Sequence, residues 1–121
     1  MLNVVVVAGV VSRPAQLVEL PSGGRLVHVE VTVRQGEGPA ETVPVSWFDP
    51  PAWAADLQVG AEVVVYGRVR RRFFRAGGVT QSRTEVVAAK ASRSSSSRTV
   101  GAVIQEAVDI LESAAGSQSS S

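Results

Sequence analysis

Apolar residues in this chain recur with a period of two, in runs separated by clusters of glycine, proline and serine, which is the pattern of strands and turns. Residues 3–11 (NVVVVAGVV) are apolar on both parities. That predicts a strand buried on both faces, or buried on one and paired with another subunit through the other. Gly9 interrupts the run; inside a strand, glycine marks a bulge or sharp bend, as a small barrel needs where one strand serves two sheets. Ser12-Arg13-Pro14 ends it, and Pro21-Ser22-Gly23-Gly24 reads as a turn. After the turn Val27, Val29, Val31 and Val33 alternate with His28, Glu30, Thr32 and Arg34, a half-buried strand whose polar row faces solvent or a ligand. Residues 35–40 form a loop. Residues 41–48 (ETVPVSWF) make a third strand, in which Pro44 requires a bulge or an exposed edge because it cannot donate to a ladder. Trp47 shares the parity of Val43 and Val45, and Phe48 that of Pro44 and Ser46, so one ring points to the core and the other to a face.

Asp49-Pro50-Pro51 reads as a helix start, with a capping carboxylate and proline in the first turn. The short helix that follows stops at Gly60, and Trp53 and Leu57, four apart, share its buried face and plug one end of a barrel. Residues 61–75 return to strand. Val63-Val64-Val65-Tyr66 is its buried half, and Arg68, Arg70, Arg72 and Phe74 form a basic row ending in a ring on one parity of its emerging half. Through Ala76-Gly77-Gly78 the chain comes back as residues 79–89, closing a long hairpin. Three strands, a short helix and two strands is the element order of the OB-fold, an all-β, five-stranded Greek-key barrel.

Beyond residue 91 the pattern changes. Residues 92–98 form a Ser/Arg linker too polar to bury a core. Residues 99–115 are helical by spacing, with Val100, Val103, Ile104, Ala107, Val108 and Leu111 set against Gln105, Glu106, Asp109 and Glu112. About four turns of lone helix are marginal in water, so the stripe is expected to dock on the barrel, another subunit or a different protein. The predicted organisation is a binding domain over 1–91, a linker over 92–98, an amphipathic helix over 99–115 and a disordered tail over 116–121.

Composition narrows the chemistry. No apolar stretch approaches the roughly 20 residues that span a bilayer, and the start carries no basic leader, so neither membrane association nor a signal peptide is expected. The absence of cysteine excludes disulfides and thiolate metal sites, which suits a cytoplasmic protein. With His28 as the single histidine an ordinary zinc site cannot be built, and no cofactor is expected. His28 reads as a surface strand residue. No carboxylate pair, Ser-His-Asp arrangement or phosphate loop stands out, so the chain is not expected to be an enzyme. The formal net charge is +1, yet residues 67–83 contain arginine and no acid. Such a stripe fits a binding face for a polyanion, with arginines on phosphates and phenylalanines under bases. A charged edge that blocks aggregation is the plainer explanation of the same stripe.

Several segments, in their order and spacing, carry a resemblance. Asn3-Val4-Val5 opens the first strand with Gly9 behind it, and Pro14 and Ser22-Gly23-Gly24 precede the second. Then come Val43-Pro44-Val45-Ser46-Trp47, Leu57 with Gly60, Val65-Tyr66-Gly67-Arg68-Val69 and Thr84-Glu85-Val86-Val87-Ala88. Over residues 2–89 the chain resembles the bacterial single-stranded DNA-binding proteins. The resemblance implies single-stranded DNA wrapped on a homotetramer, with a dimer left open, in DNA replication, repair or recombination. Trp47 and Phe74 fall on stacking positions of the family, whereas a further family aromatic meets Glu41 or Thr42 here, so that platform is missing. The family's acidic tip, which recruits repair and replication enzymes, has Ser-Gln-Ser-Ser-Ser in its place, which implies a short paralogue with a narrower role. The expected nucleic-acid-binding residues are Arg34, Trp47, Arg68, Arg70, Arg72, Phe74, Arg75 and Arg83. With about five phosphates contacted, the log-log salt slope would be roughly −3 to −4. The alternative expectation is an adaptor like the primosomal replication protein, which shares the barrel, with weak nucleic-acid binding and a protein partner engaged by residues 99–115.

Overall fold

The computed structural model describes residues 3–34, 36–93 and 97–119. Strands β1 (Val5–Val11), β2 (Gln16–Glu19), β3 (Arg25–Val33), β4 (Glu41–Phe48), β5 (Glu62–Ala76) and β6 (Val79–Arg93) precede helix α1 (Ser97–Ser119), and a 3₁₀ turn at Ala52–Asp56 links β4 to β5. The sheet runs β1-β5-β6-β4-β3-β2 and curls until β1 also pairs β3. The mostly β chain thus closes into a ring of β1, β5, β6, β4 and β3, with β2 added on β3.

Two glycines make closure possible. β1 pairs β5 from Val5 to Val10 and β3 at Val10 and Val11. At this crossing a Cβ on Gly9 would lie 2.3 Å from the Thr32 carbonyl oxygen, so a side chain there would hold the two backbones apart. In β5 the register slips between Tyr66 and Gly67, where a Cβ on Gly67 would lie 2.1 Å from the Val87 carbonyl oxygen. This bulge separates the buried half of β5 from an arm, the far part of the β5–β6 hairpin, exposed on both faces. Asn3 braces the base of the arm: its amide donates to the Val69 carbonyl at 2.8 Å and accepts from the Val69 N–H at 2.9 Å.

Valines from all five ring strands fill the interior, because the branched side chain both favours strand and packs on a pleated surface. Ala54 and Leu57 plug one end with Trp47, whose ring meets Trp53 edge-on at 5.5 Å. Outside the ring, α1 lies against β1, β5 and β6, with Ala107 buried on Val64 and Tyr66. That contact explains why residues 63–66 lack a polar side. Ile104, Val108 and Leu111 stay exposed.

The structure changes several expectations. β2 is not announced by the pattern because all four of its side chains are exposed and only its ladder to β3 defines it. β6 continues to Arg93. Ser92 and Arg93, expected in the linker, pair with Val64 and Val63, because the backbone of β5 needs partners whatever side chains they carry. Helix α1 starts at Ser97 and runs to Ser119, taking in residues 116–119 expected as a disordered tail; no proline stops it. Residues 94–96 of the expected linker, residues 120–121 of the expected tail and the side chains of Val100 and Val103 lie outside the described residues. Asp49 does not cap the turn: Pro51 holds that position without a side-chain bond, while Asp49 Oδ1 accepts the Arg25 N–H at 3.0 Å and pins the start of β3.

Candidate nucleic-acid interface

On the outer face of the ring, cross-strand register sets His28 of β3 opposite Ser46 of β4, and Arg70 of β5 opposite Glu85 of β6. These four side chains join into one network. The Ser46 hydroxyl donates to Glu85 Oε2 at 2.8 Å and lies 3.2 Å from His28 Nδ1. Its single proton is committed to Glu85, so His28 must be the donor in that second bond, and neutral His28 carries its hydrogen on Nδ1. Arg70 donates to Glu85 Oε1 through Nε at 3.1 Å and through a terminal nitrogen. Although a hydroxyl, an imidazole and a carboxylate meet here, the hydroxyl stands between the other two. The hydroxyl proton therefore points at Glu85, a carboxylate made weakly basic by its lowered pKa, and not at the imidazole as in a Ser-His-Asp relay.

Burial sets the first influence on both titrating groups. For Glu85, only 4% exposed, burial pushes the pKa up, but hydrogen bonds from Arg70 and Ser46 and the charges of Arg70 and Arg72 hold it below the ordinary carboxylate value. His28 is held below its ordinary value by burial and then by Arg72 and Arg83, against the pull of Glu85.

Arg68, Arg70, Arg72 and Phe74 share one face of the arm by strand alternation. The Arg70 guanidinium stands 5.6 Å from the centre of the Phe48 ring, and that of Arg72 stands 5.8 Å from Phe74. Both rings are partly open, Phe48 at 39% and Phe74 at 36%. Arg83 sits directly across from Arg72, and Glu30 lies 3.6 Å from Arg83 and 3.3 Å from Arg13. Arg13, Gln16, His28, Glu30, Arg72 and Arg83 line a cleft of about 170 Å³. The reverse face of the arm carries Val69, Arg71, Phe73 and Arg75, all exposed.

The expected site residues therefore separate. Arg68, Arg70, Arg72, Phe74 and Arg83 come together on one face. Arg75 falls on the reverse face. Arg34 is exposed past the end of β3, and among the described residues no contact joins it to the others. Trp47, expected as a stacking platform, is 8% exposed inside the core, because it shares the inward parity of Val43 and Val45; its neighbour Phe48 takes the outer position. Sequence reading left the choice between Trp47 and Phe48 open and missed Arg13, Ser46 and Glu85. For Phe48 the signal was available in its parity with Pro44 and Ser46. Among the described residues no cluster of histidine, cysteine, aspartate or glutamate forms a metal site, and no helix is long and apolar enough to cross a membrane. Neither the family models scanned nor the curated proteins searched give a match for this chain.

Proposed function

We propose that the ring is an OB-fold and that it binds single-stranded DNA with little regard to sequence, in replication, repair or recombination. The observation that carries this reading is the outer face of β4 and the arm, where two half-open rings each have a guanidinium against them, beside Arg68 and Arg83. A ring accepts the flat face of any base, and an adjacent arginine meets its phosphate, so the pair recognises nucleic acid without reading it. OB-folds take oligonucleotides on their second and third strands and on the loop that joins the last two; β3, β4 and the arm are the counterparts here. The chain acts as a homo-oligomer, a tetramer by the same resemblance. The exposed outer row of Val6, Ala8 and Val10 on β1 supports pairing between copies.

Arg70 is committed to Glu85, which leaves Arg68, Arg72 and Arg83 on the face for phosphates. The log-log salt slope should then lie between about −1.4, if Arg72 and Arg83 share one phosphate, and about −2, if each meets its own. Fluorescence anisotropy of labelled oligo-dT across a salt series measures it. Phe48→Ala and Phe74→Ala should each weaken binding by about 1 to 3 kcal/mol. Binding indifferent to salt, or unchanged in both variants, would sink the reading. Quenching of Trp47 is a poor monitor, because that ring is enclosed.

A second reading, an adaptor that engages a protein through α1, is favoured by the exposed Ile104, Val108 and Leu111. Removing residues 97–121 separates the two: lost partner binding with intact DNA affinity supports the adaptor.

A further inference from the structure

We propose that the cleft between Arg13 and the base of the arm is a discrete site for one phosphate group, held by Arg13, Arg72 and Arg83, and that Glu30 is the internal anion it displaces. That the phosphate belongs to a DNA backbone rests on the function proposed above; the anion site itself does not.

Arg72 and Arg83 face each other directly across the β5–β6 ladder. Like charges in that position destabilise a sheet unless an anion lies between them. Arg13 adds a third guanidinium from the turn before β2. The anion now present is Glu30, and its hold is loose: 3.3 Å to Arg13 and 3.6 Å to Arg83, against about 2.7 to 2.9 Å for a good charge-assisted bond. Its side chain is 30% exposed, and that of Arg13 is 78% exposed, so both can rearrange at little cost. Among the described residues Arg72 makes no salt bridge and feels Glu85 only through its charge. A phosphate has more acceptor oxygens than one carboxylate and can serve all three guanidiniums at once. Glu85 does not compete for this role, because Ser46 and Arg70 already occupy its oxygens.

His28 lines the cleft and reports on it. With Nδ1–H bonded to Ser46, Nε2 is the nitrogen free to take a proton. The groups around it are Arg13, Arg70, Arg72, Arg83, Glu30 and Glu85. A phosphate between Arg72 and Arg83 cancels their repulsion of the imidazolium, so filling the site raises the affinity of His28 for a proton. For a phosphodiester, whose charge is fixed over this range, binding therefore tightens as pH falls through the His28 titration.

The test uses the full chain, in which His28 is the only histidine and its ring resonances are unambiguous. Its titration is followed by NMR between about pH 5 and 8, in chloride alone, in inorganic phosphate at matched ionic strength, and with oligo-dT. Phosphate should raise the His28 pKa by at least about half a unit, and Arg83→Gln should abolish that shift while thermal unfolding shows the variant folded. Glu30→Gln should tighten phosphate binding several-fold. Identical His28 curves in phosphate and in chloride overturn the site, as does a Glu30→Gln variant that binds phosphate less well. A phosphate shift without any oligo-dT binding upholds the site and removes the DNA reading. Oligo-dT binding that leaves His28 unmoved in both phosphate and oligo-dT upholds the DNA reading and removes the site.

Discussion

Replacing Glu85 by alanine should make the protein less stable and yet a better ligand for DNA. The carboxylate is 4% exposed and accepts from Ser46 Oγ at 2.8 Å, Arg70 Nε at 3.1 Å and a second Arg70 nitrogen. Breaking a buried ion pair costs about 3 to 5 kcal/mol. Arg70 keeps 32% of its side chain in water and can swing toward it, and the stranded Ser46 hydroxyl can donate to His28 once that ring shifts its hydrogen to Nε2. Both escapes favour the low end, about 3 kcal/mol. Glu85→Gln, which keeps an acceptor of similar size, should cost about 1 to 2 kcal/mol. Urea unfolding followed by the fluorescence of Trp47 and Trp53 gives both values from the midpoint at constant slope.

On the DNA side the sign reverses. Released from Glu85, Arg70 can meet a phosphate, and one more contact steepens the salt slope by about 0.7. Acid adds a third check. The Glu85 pKa is held below its ordinary value, so the pair's contribution is complete above about pH 4.5 and is lost as pH falls through the folded value. The alanine variant should lose less stability over that window than the parent. A Glu85→Ala protein as stable as the parent, or one that folds but binds oligo-dT more weakly, would refute this account of the pair.

Further outcomes follow from the same geometry. Gly67→Ala sets a Cβ 2.1 Å from the Val87 carbonyl oxygen and should destabilise by about 2 to 3 kcal/mol in denaturant; parity with the parent would disprove the close approach. Trp47→Ala should cost about 3 to 5 kcal/mol, whereas Phe48→Ala, at a half-open position, should leave the thermal midpoint nearly unchanged. His28 is held below its ordinary pKa, so its contribution to stability is present above about pH 6.5 and is lost as pH falls through the folded value. His28→Gln should flatten the stability profile there, and an unaltered profile would count against the burial of that ring. Ala107→Glu places a charge on Val64 and Tyr66 and should speed proteolysis of α1 while the core tryptophan signal persists.

How much of this was legible in the sequence depends on which contacts decide each feature. The ring was legible because valine alternation reports burial directly, and because Gly9 and Gly67 stand where two backbones meet. For Trp47, parity left open which of two rings turns inward and the family resemblance pointed to the face; the structure puts it among the inward valines, where a ring has nowhere to go but the core. The working charge of the arm was not legible, because counting arginines along one strand ignores what faces them. The bulge at Gly67 decides that. Past the slip, Gly67 faces Ala88, Arg70 faces Glu85 and Arg72 faces Arg83. An unbroken ladder continuing from Tyr66 opposite Lys90 would instead put Arg71 against Glu85 and Phe73 against Arg83. The same residues would then leave Arg70 unneutralised and dissolve the Arg72–Arg83 pair on which the phosphate cleft depends. The extra residue that β6 carries at Ala89, opposite Gly67, thus sets the electrostatics of the face through register, which a linear reading of composition cannot supply.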